Sequence, residues 1–238
     1  MSPSFEGWYP NPDGSFTLSF GYFNRNFEQT LDIPIGADNH FEPGPLDRGQ
    51  PTHFLRRRQT GIFTVLVPAD FGSEILTWSL TAGGETIAIP GHLRPEWQVD
   101  ALHEITSDNH PPTVRFDRAA AGTQGPAGVQ ASMSASVGDP VTLRVWVTDD
   151  GVKKRPSDRP PIVGIAWSKF RGTGTVEFSE SRPKVAEDGE TTTTATFSET
   201  GDYIVRLLAW DDSGGQGTIM AGGFQCCWTN GYITVRVE

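Results

Sequence analysis

The most regular stretch of the chain is Thr191–Trp210, TTTTATFSETGDYIVRLLAW. A threonine-rich run reaches Phe197, a Ser-Glu-Thr-Gly-Asp turn follows, and strict alternation begins at Tyr203. Strand side chains point to opposite faces in turn, so Tyr203, Val205, Leu207 and Ala209 share one face and Ile204, Arg206, Leu208 and Trp210 the other. A Gly-x-Tyr lead-in to such a strand is how a β-sandwich turns a corner, with the tyrosine hydroxyl tied back to the backbone. The same period recurs elsewhere. Phe16–Asn24 sets Phe16, Leu18, Phe20 and Tyr22 against Thr17, Ser19, Gly21 and Phe23. Gly61–Val67 and Ile75–Ala82 contribute Ile62, Phe63, Val65, Val67, Leu76, Trp78 and Leu80 as core candidates, and Gly83-Gly84 turns the chain into Glu85–Ile89. Further strands are expected at Leu31–Ile35, Pro51–Leu55, Thr113–Phe116, Val141–Asp149, Pro161–Ser168, Gly174–Phe178 and Tyr232–Val237. Met1–Asp13 reads as an extended edge segment pinned by its rings, and Gly36–Gln50 as a long loop. No segment sustains a helical period, which makes the chain all-β.

The alternation breaks over Ala101–Ser136, where Asn109-His-Pro-Pro112 and the Ala/Gly/Pro tract Ala119–Gly128 read as irregular. The expected organisation is therefore two tandem β-sandwich domains, 1–102 and 113–238, joined by a Pro-containing linker at 103–112. At 238 residues the chain is long enough for two cores. Its 29 acidic and 19 basic side chains give a net charge of −10, which argues against nucleic acid and anionic lipid as partners. Abundant Gly (27) and Pro (18) suit short strands and turns. No apolar run is long enough to span a bilayer. MSPSFEGWYPNPDG has neither a basic head nor an apolar core and does not read as a signal peptide; the expectation is either a cytosolic protein or the mature form of a secreted one, and composition favours the second.

The segments VGDPVTLRVWVTDDG, IAWSKFRGTGTVEFS, TTATFSETGDYIVRLLAWDD and GYITVRV together resemble the PKD-like and wider immunoglobulin/cadherin-like modules of bacterial extracellular proteins, over residues 113–238. Where that family carries Asp-Phe-Gly-Asp-Gly after its tryptophan, this chain has Ser168-Lys-Phe-Arg-Gly-Thr-Gly174. The first half, with GYFNRN, LDIPIG and DRGQPTHF, resembles an N-terminal module of uncharacterised secreted bacterial proteins. The resemblance implies two immunoglobulin-like sandwiches, a buried tryptophan at Trp167, and a role as spacer, adhesive unit or carbohydrate-binding accessory.

Candidate chemistry is sparse. There is no Gly-x-Ser-x-Gly elbow, phosphate loop, dinucleotide fingerprint or HExxH spacing, and the expectation is a non-catalytic protein. Cys226-Cys227 is either one buried thiol with a second covered by Trp228, or a vicinal disulfide forming a platform beside that ring. No third cysteine exists to pair with either. Calcium candidates are Asp149, Asp150, Asp211 and Asp212 at two strand ends, and Asp38, Asn39, Glu42 and Asp47 in one loop; the competing reading is ordinary turn residues. His92, His103 and His110, with Glu96, Glu104 and Asp108, lie around the domain junction; the histidines are expected to be solvated rather than metal-binding or catalytic. Arg56-Arg57-Arg58 reads as a polar turn or an internal salt-bridge partner.

The outer face of the Tyr203 strand and its neighbour carries more information. Leu208, Trp210, Arg206, Tyr232, Arg236 and Trp228 are types enriched at interfaces, and form the expected binding face unless the first domain or the 119–128 excursion covers it. The expected function is extracellular adhesion or structure through protein–protein contacts, including self-assembly into an oligomer or fibre. The alternatives are a polysaccharide-binding accessory, in which exposed rings stack on sugars, and a hydrolase with an unrecognised site.

Overall fold

The computed structural model describes residues 1–105, 107–152, 163–211 and 226–238, which form two units. The first comprises residues 1–100. Its strands are β1 (Ser2–Pro10), β2 (Phe16–Asn24), β3 (Leu31–Asp32), β4 (Asn39–Glu42), β5 (His53–Phe54), β6 (Arg57–Val67), β7 (Leu76–Ala82) and β8 (Glu85–Gly91), followed by one 3-10 turn at Pro95–Trp97. One antiparallel sheet runs β1-β2-β6 and the other β4-β7-β8, with β3 and β5 paired separately. In sandwich terms these are the A-B-E and C-F-G sheets, the strand arrangement of an immunoglobulin-like domain.

The core of this unit is aromatic because alternation sends every second ring inward. Trp78 is fully buried, with ring centroids 5.0 Å from Phe63, 6.0 Å from Phe41, 6.1 Å from Phe20 and 6.4 Å from Phe54. All seven apolar side chains expected inside from Gly61–Val67 and Ile75–Ala82 are buried. The expected loop Gly36–Gln50 was wrong in one respect: it contains β4, which pairs with β7 in the register Asn39↔Leu80 to Glu42↔Thr77. Asn39 and Phe41 point inward there, and a four-residue strand inside Gly, Pro and Asp punctuation has too little alternation to be read locally.

The three-stranded sheet contains two facing irregularities. β1 carries one extra residue between Phe5 and Trp8, and the β2–β6 register shifts between Phe20 and Tyr22. Glu6 fills the gap. Its carboxylate, almost wholly buried, accepts hydrogen bonds from the Gly61 N–H, the Ser4 hydroxyl (3.1 Å) and the Arg58 guanidinium (3.3 Å). Gly21 lies where any β-carbon would collide with that carboxylate and the Gln59 carbonyl, so only glycine fits.

The second unit comprises the described residues from 101 onward. Residues 101–112, expected as the end of the first domain and a linker, belong to it. Its strands are β9 (Thr113–Arg115), β10 (Val129–Ala135), β11 (Val141–Thr148), β12 (Gly164–Arg171), β13 (Val176–Phe178), β14 (Glu190–Phe197), β15 (Gly201–Trp210) and β16 (Trp228–Val237). The sheets run β13-β14-β11-β9 and β10-β16-β15-β12. Among the described strand pairs of this unit, only β10 against β16 is parallel. This is a D-E-B-A sheet facing an A′-G-F-C sheet, again immunoglobulin-like. The chain is thus all-β, two tandem immunoglobulin-like sandwiches. β10 lies within the expected irregular stretch Ala101–Ser136; its inward row, Val129, Ala131, Met133 and Ala135, is half alanine and faces only Gln and Ser, so its period carries little hydrophobic contrast.

The inward row of β15 packs with Leu143, Val145, Val147, Ile165, Trp167, Ala195, Phe197, Ile233, Val235 and Val237 in one cluster. Tyr203 is fully buried at its corner. Its hydroxyl donates to the Glu199 carbonyl (3.0 Å) and accepts from the Gly174 N–H (3.0 Å), while its ring meets Phe197 at 5.0 Å. The expected tyrosine corner is present. Gly174 and Gly172 allow it, because a β-carbon on either would strike the tyrosine.

Candidate functional site

Antiparallel pairing puts Trp210 opposite Trp228, Leu208 opposite Asn230, Arg206 opposite Tyr232 and Asp202 opposite Arg236. Directly opposed residues share a face, so all of these belong to the outer side of the second unit's four-stranded sheet. Along that face Trp228, Asn230 and Arg206 are buried, Leu208, Trp210 and Tyr232 are half-buried, and Asp202 and Arg236 are exposed. Two of the six expected contact residues are therefore not presented: Arg206 and Trp228 are each only 4 % exposed.

The cause at Arg206 is a buried polar tether. Its Nε and Nη2 both donate to Asn230 Oδ1, at 3.0 and 2.7 Å. Asn230 Nδ2 donates in turn to the Pro126 carbonyl (2.8 Å), the Asn230 N–H to Gly125 O (3.3 Å), and the Gly125 N–H to Thr229 Oγ1 (2.9 Å). The Ala119–Gly128 excursion is thereby sewn to β16. Gly128, at φ +74°, has the Asn230 carbonyl where its β-carbon would be. What stays open is a band of Leu208, Trp210 and Tyr232 with the Asp202–Arg236 pair at its end. The Trp210 indole sits over Gly164, Phe170 meets Tyr232 edge-on at 5.3 Å, and Arg236 Nη1 spans both Asp202 oxygens at 2.6 and 2.8 Å. The hydrogen bond to Asp202, and then its charge, raise the Arg236 pKa further.

Cys226 and Cys227 are bonded to each other and both fully buried. The reading with separate thiols is thus not the one the fold adopts, and the pair presents no platform to solvent. Cys227 Sγ lies 3.6 Å from the Asn109 carbonyl.

The described acidic residues at the strand ends serve as hydrogen-bond acceptors, two of them for consecutive residues of the segment before β9. Asn109 Nδ2 donates to the buried Asp211 (2.8 Å), while the next residue, His110, donates its N–H to Asp150 Oδ2 (3.0 Å). Asp149 and Asp150 also accept from the Gly151 and Val152 amides, each at 2.9 Å. Asp212 lies outside the described residues. In the first unit, Asn39 is fully engaged: Nδ2 donates to Ile33 O (2.9 Å) and Pro51 O (2.8 Å), and Oδ1 accepts from Trp78 Nε1 (3.0 Å). Asp47 accepts from its own loop at the Gly49 N–H (2.9 Å). Among the described residues no three His, Cys, Asp or Glu side chains are placed to hold a metal ion.

The histidines separate. His92 is buried against Phe5 (5.0 Å) and Trp97 (5.8 Å), contrary to the solvated position expected of it. His103 and His110 stack at 4.6 Å, each beside a carboxylate, Asp108 and Asp150 respectively. Glu104 is buried and accepts from the Ser107 hydroxyl. Of the three arginines, Arg57 lies over Phe27 (4.1 Å) and Arg58 reaches Glu6, an internal salt-bridge role. A recess of about 680 Å³ opens beside the end of β11, lined by Val147, Asp149, Val163, Lys184 and Glu187.

No protein-family model and no curated protein matches this chain. Among solved structures it is similar to domains 4 and 5 of the S-layer protein SbsC, with 15% identity, a TM-score of 0.29, and 74% of this chain and 70% of that one covered. It is also similar to the D0-D1 domain of intimin, at 11% identity and a TM-score of 0.26 over 98% and 97% of the two chains. A third likeness is to the N-terminal four Ig domains of Dscam1, at 13% identity and a TM-score of 0.26, spanning all of this chain and 54% of that one. The immunoglobulin-like assignment rests on the strand order and the tyrosine corner, which the chain shows by itself.

Proposed function

We propose that this chain is a non-catalytic extracellular protein, of the structural or adhesive kind found on bacterial surfaces, that works through protein–protein contacts. Its second domain is, on this reading, a PKD-like variant of the immunoglobulin-like fold. The observation that carries the proposal is the open band on the outer face of β15 and β16. There Leu208, Trp210 and Tyr232 keep part of their apolar surface in water beside the Asp202–Arg236 pair, an apolar centre with a charged rim, as at a protein contact. The Cys226–Cys227 bond supports an oxidising compartment, because such bonds are reduced in most cytosols. Among the described residues no helix is long and apolar enough to cross a membrane.

Parallel arrays of extracellular proteins and of glycans, probed with the labelled chain, test this reading. The expected result is a protein ligand whose affinity falls at least tenfold in Leu208→Ser and Tyr232→Ser, both with native circular dichroism. Binding confined to glycans and lost in Trp210→Ala would replace the reading with a carbohydrate-binding accessory.

A further inference from the structure

Strand edges attract other strands, and soluble sandwiches blunt them with charges, prolines, bulges or brevity. The outermost strands of both units follow this rule with one exception among the described residues. β1 has Pro3, Pro10, the inward Glu6 and a bulge. β6 has Arg57, Arg58 and a register shift, and β8 has Glu85 and Pro90. β12 has Lys169, Arg171 and a bulge between them. β4, β9 and β13 are four residues or fewer. β10 has none of these devices. It is seven residues, VQASMSA, without charge or proline, in unbroken register with β16 and last in its sheet.

We infer that β10 is a self-association edge, which pairs antiparallel with β10 of a second copy about a two-fold axis at Ser132. This inference rests on the protein-contact reading and assigns one of its surfaces. The occupant follows from two features of the strand. First, two copies each bearing −10 repel, so a contact between them needs an edge with no charge of its own, and β10 is that edge. Second, its sequence is self-complementary about Ser132. Rotation brings Val129 opposite Ala135, Ala131 opposite Met133 and Gln130 opposite Ser134, so a larger side chain meets a smaller one at each step. The alternation is also kept. Val129, Ala131, Met133 and Ala135 pack partly against the core, while Gln130, Ser132 and Ser134 are exposed. Every facing pair therefore joins like faces, and the two four-stranded sheets continue into one of eight. Such an isologous contact uses the same patch on both partners, with main-chain hydrogen bonds supplying affinity.

Sedimentation equilibrium of the full chain tests this, with Ser132→Lys and Ser132→Cys as variants. Ser132 is exposed, so lysine there leaves the fold intact, yet its ammonium meets its own copy at the axis. The wild type is expected to sediment at twice the chain mass and to associate more tightly with added salt. Ser132→Lys should weaken dimerisation about 100-fold, since like charges face to face cost several kcal/mol. Ser132→Cys should cross-link copies under mild oxidation, because opposed α-carbons in an antiparallel pair lie at about the disulfide span. Thr192→Cys, on the exposed face of β14, should not. A wild type monomeric throughout overturns self-association but leaves protein-ligand binding intact. A dimer unchanged by Ser132→Lys overturns the edge and keeps the assembly.

Discussion

Replacing Tyr203 by phenylalanine removes one oxygen and nothing else, which makes it the sharpest probe of the second domain's corner. The ring stays against Phe197, so core packing is preserved. What is lost is the bond to the Glu199 carbonyl and the bond from the Gly174 N–H. A protein hydrogen bond is worth about 1 kcal/mol net, and a buried donor left without its partner costs roughly 1–3 kcal/mol more than an exposed one. Tyr203 is fully buried and water does not replace its oxygen easily, so the loss should total about 2–3 kcal/mol. For a domain of this size that is a fall in melting temperature of about 6–15 °C. Calorimetry on the whole chain should show the second domain's transition moving by that amount and the first domain's staying still. Gly174→Ala pushes a β-carbon to 2.5 Å from Ser198 Oγ and 2.6 Å from the same oxygen, so the second part of its cost should vanish once that oxygen is gone. A Tyr203→Phe loss below about 0.5 kcal/mol, or strict additivity of the two changes, would refute the claim that these bonds hold the corner.

Four other substitutions separate buried from exposed chemistry. Glu6→Ala strips the Gly61 N–H of its acceptor inside the sheet and should cost about 2–4 kcal/mol in urea unfolding, whereas Arg58→Ala, half-exposed at the rim, should cost under about 1 kcal/mol. Asn39→Leu orphans the Ile33 and Pro51 carbonyls and the Trp78 indole N–H, so a loss of at least about 3 kcal/mol is expected by the same assay. Asp13 titrates below its ordinary 3.8, first because the Ser15 hydroxyl and then the Ser15 N–H bond its carboxylate. A depressed folded-state pKa contributes stability that is present above the ordinary value and disappears as pH falls through the depressed one. Ser15→Ala should therefore move the Asp13 NMR titration up toward 3.8.

Much of the architecture was legible because strand formation is written locally. Period-two alternation located the Phe16, Gly61, Ile75, Val141 and Tyr203 strands, and the Gly-x-Tyr corner followed from residues adjacent in the chain. β4 and β10 escaped the same reading for different reasons, one hidden by turn residues and the other by an inward row diluted with alanine. The outer face was legible only by parity. Alternation says that Arg206 and Trp228 point away from the core, and it is silent on what lies over them.

The sequence alone therefore determined the class of fold, the two cores and the side of each strand that faces inward, since each depends on a few consecutive residues. Tertiary structure decided which polar groups are structural and which surfaces stay open. Asn230 tethers Arg206 and the 119–128 excursion, consecutive Asn109 and His110 take up Asp211 and Asp150, and β10 is left at the rim of its sheet. The physical reason is one of distance. Burial and edge exposure arise from partners roughly a hundred residues away, such as Asn109 and Asp211, and no local period encodes who those partners are.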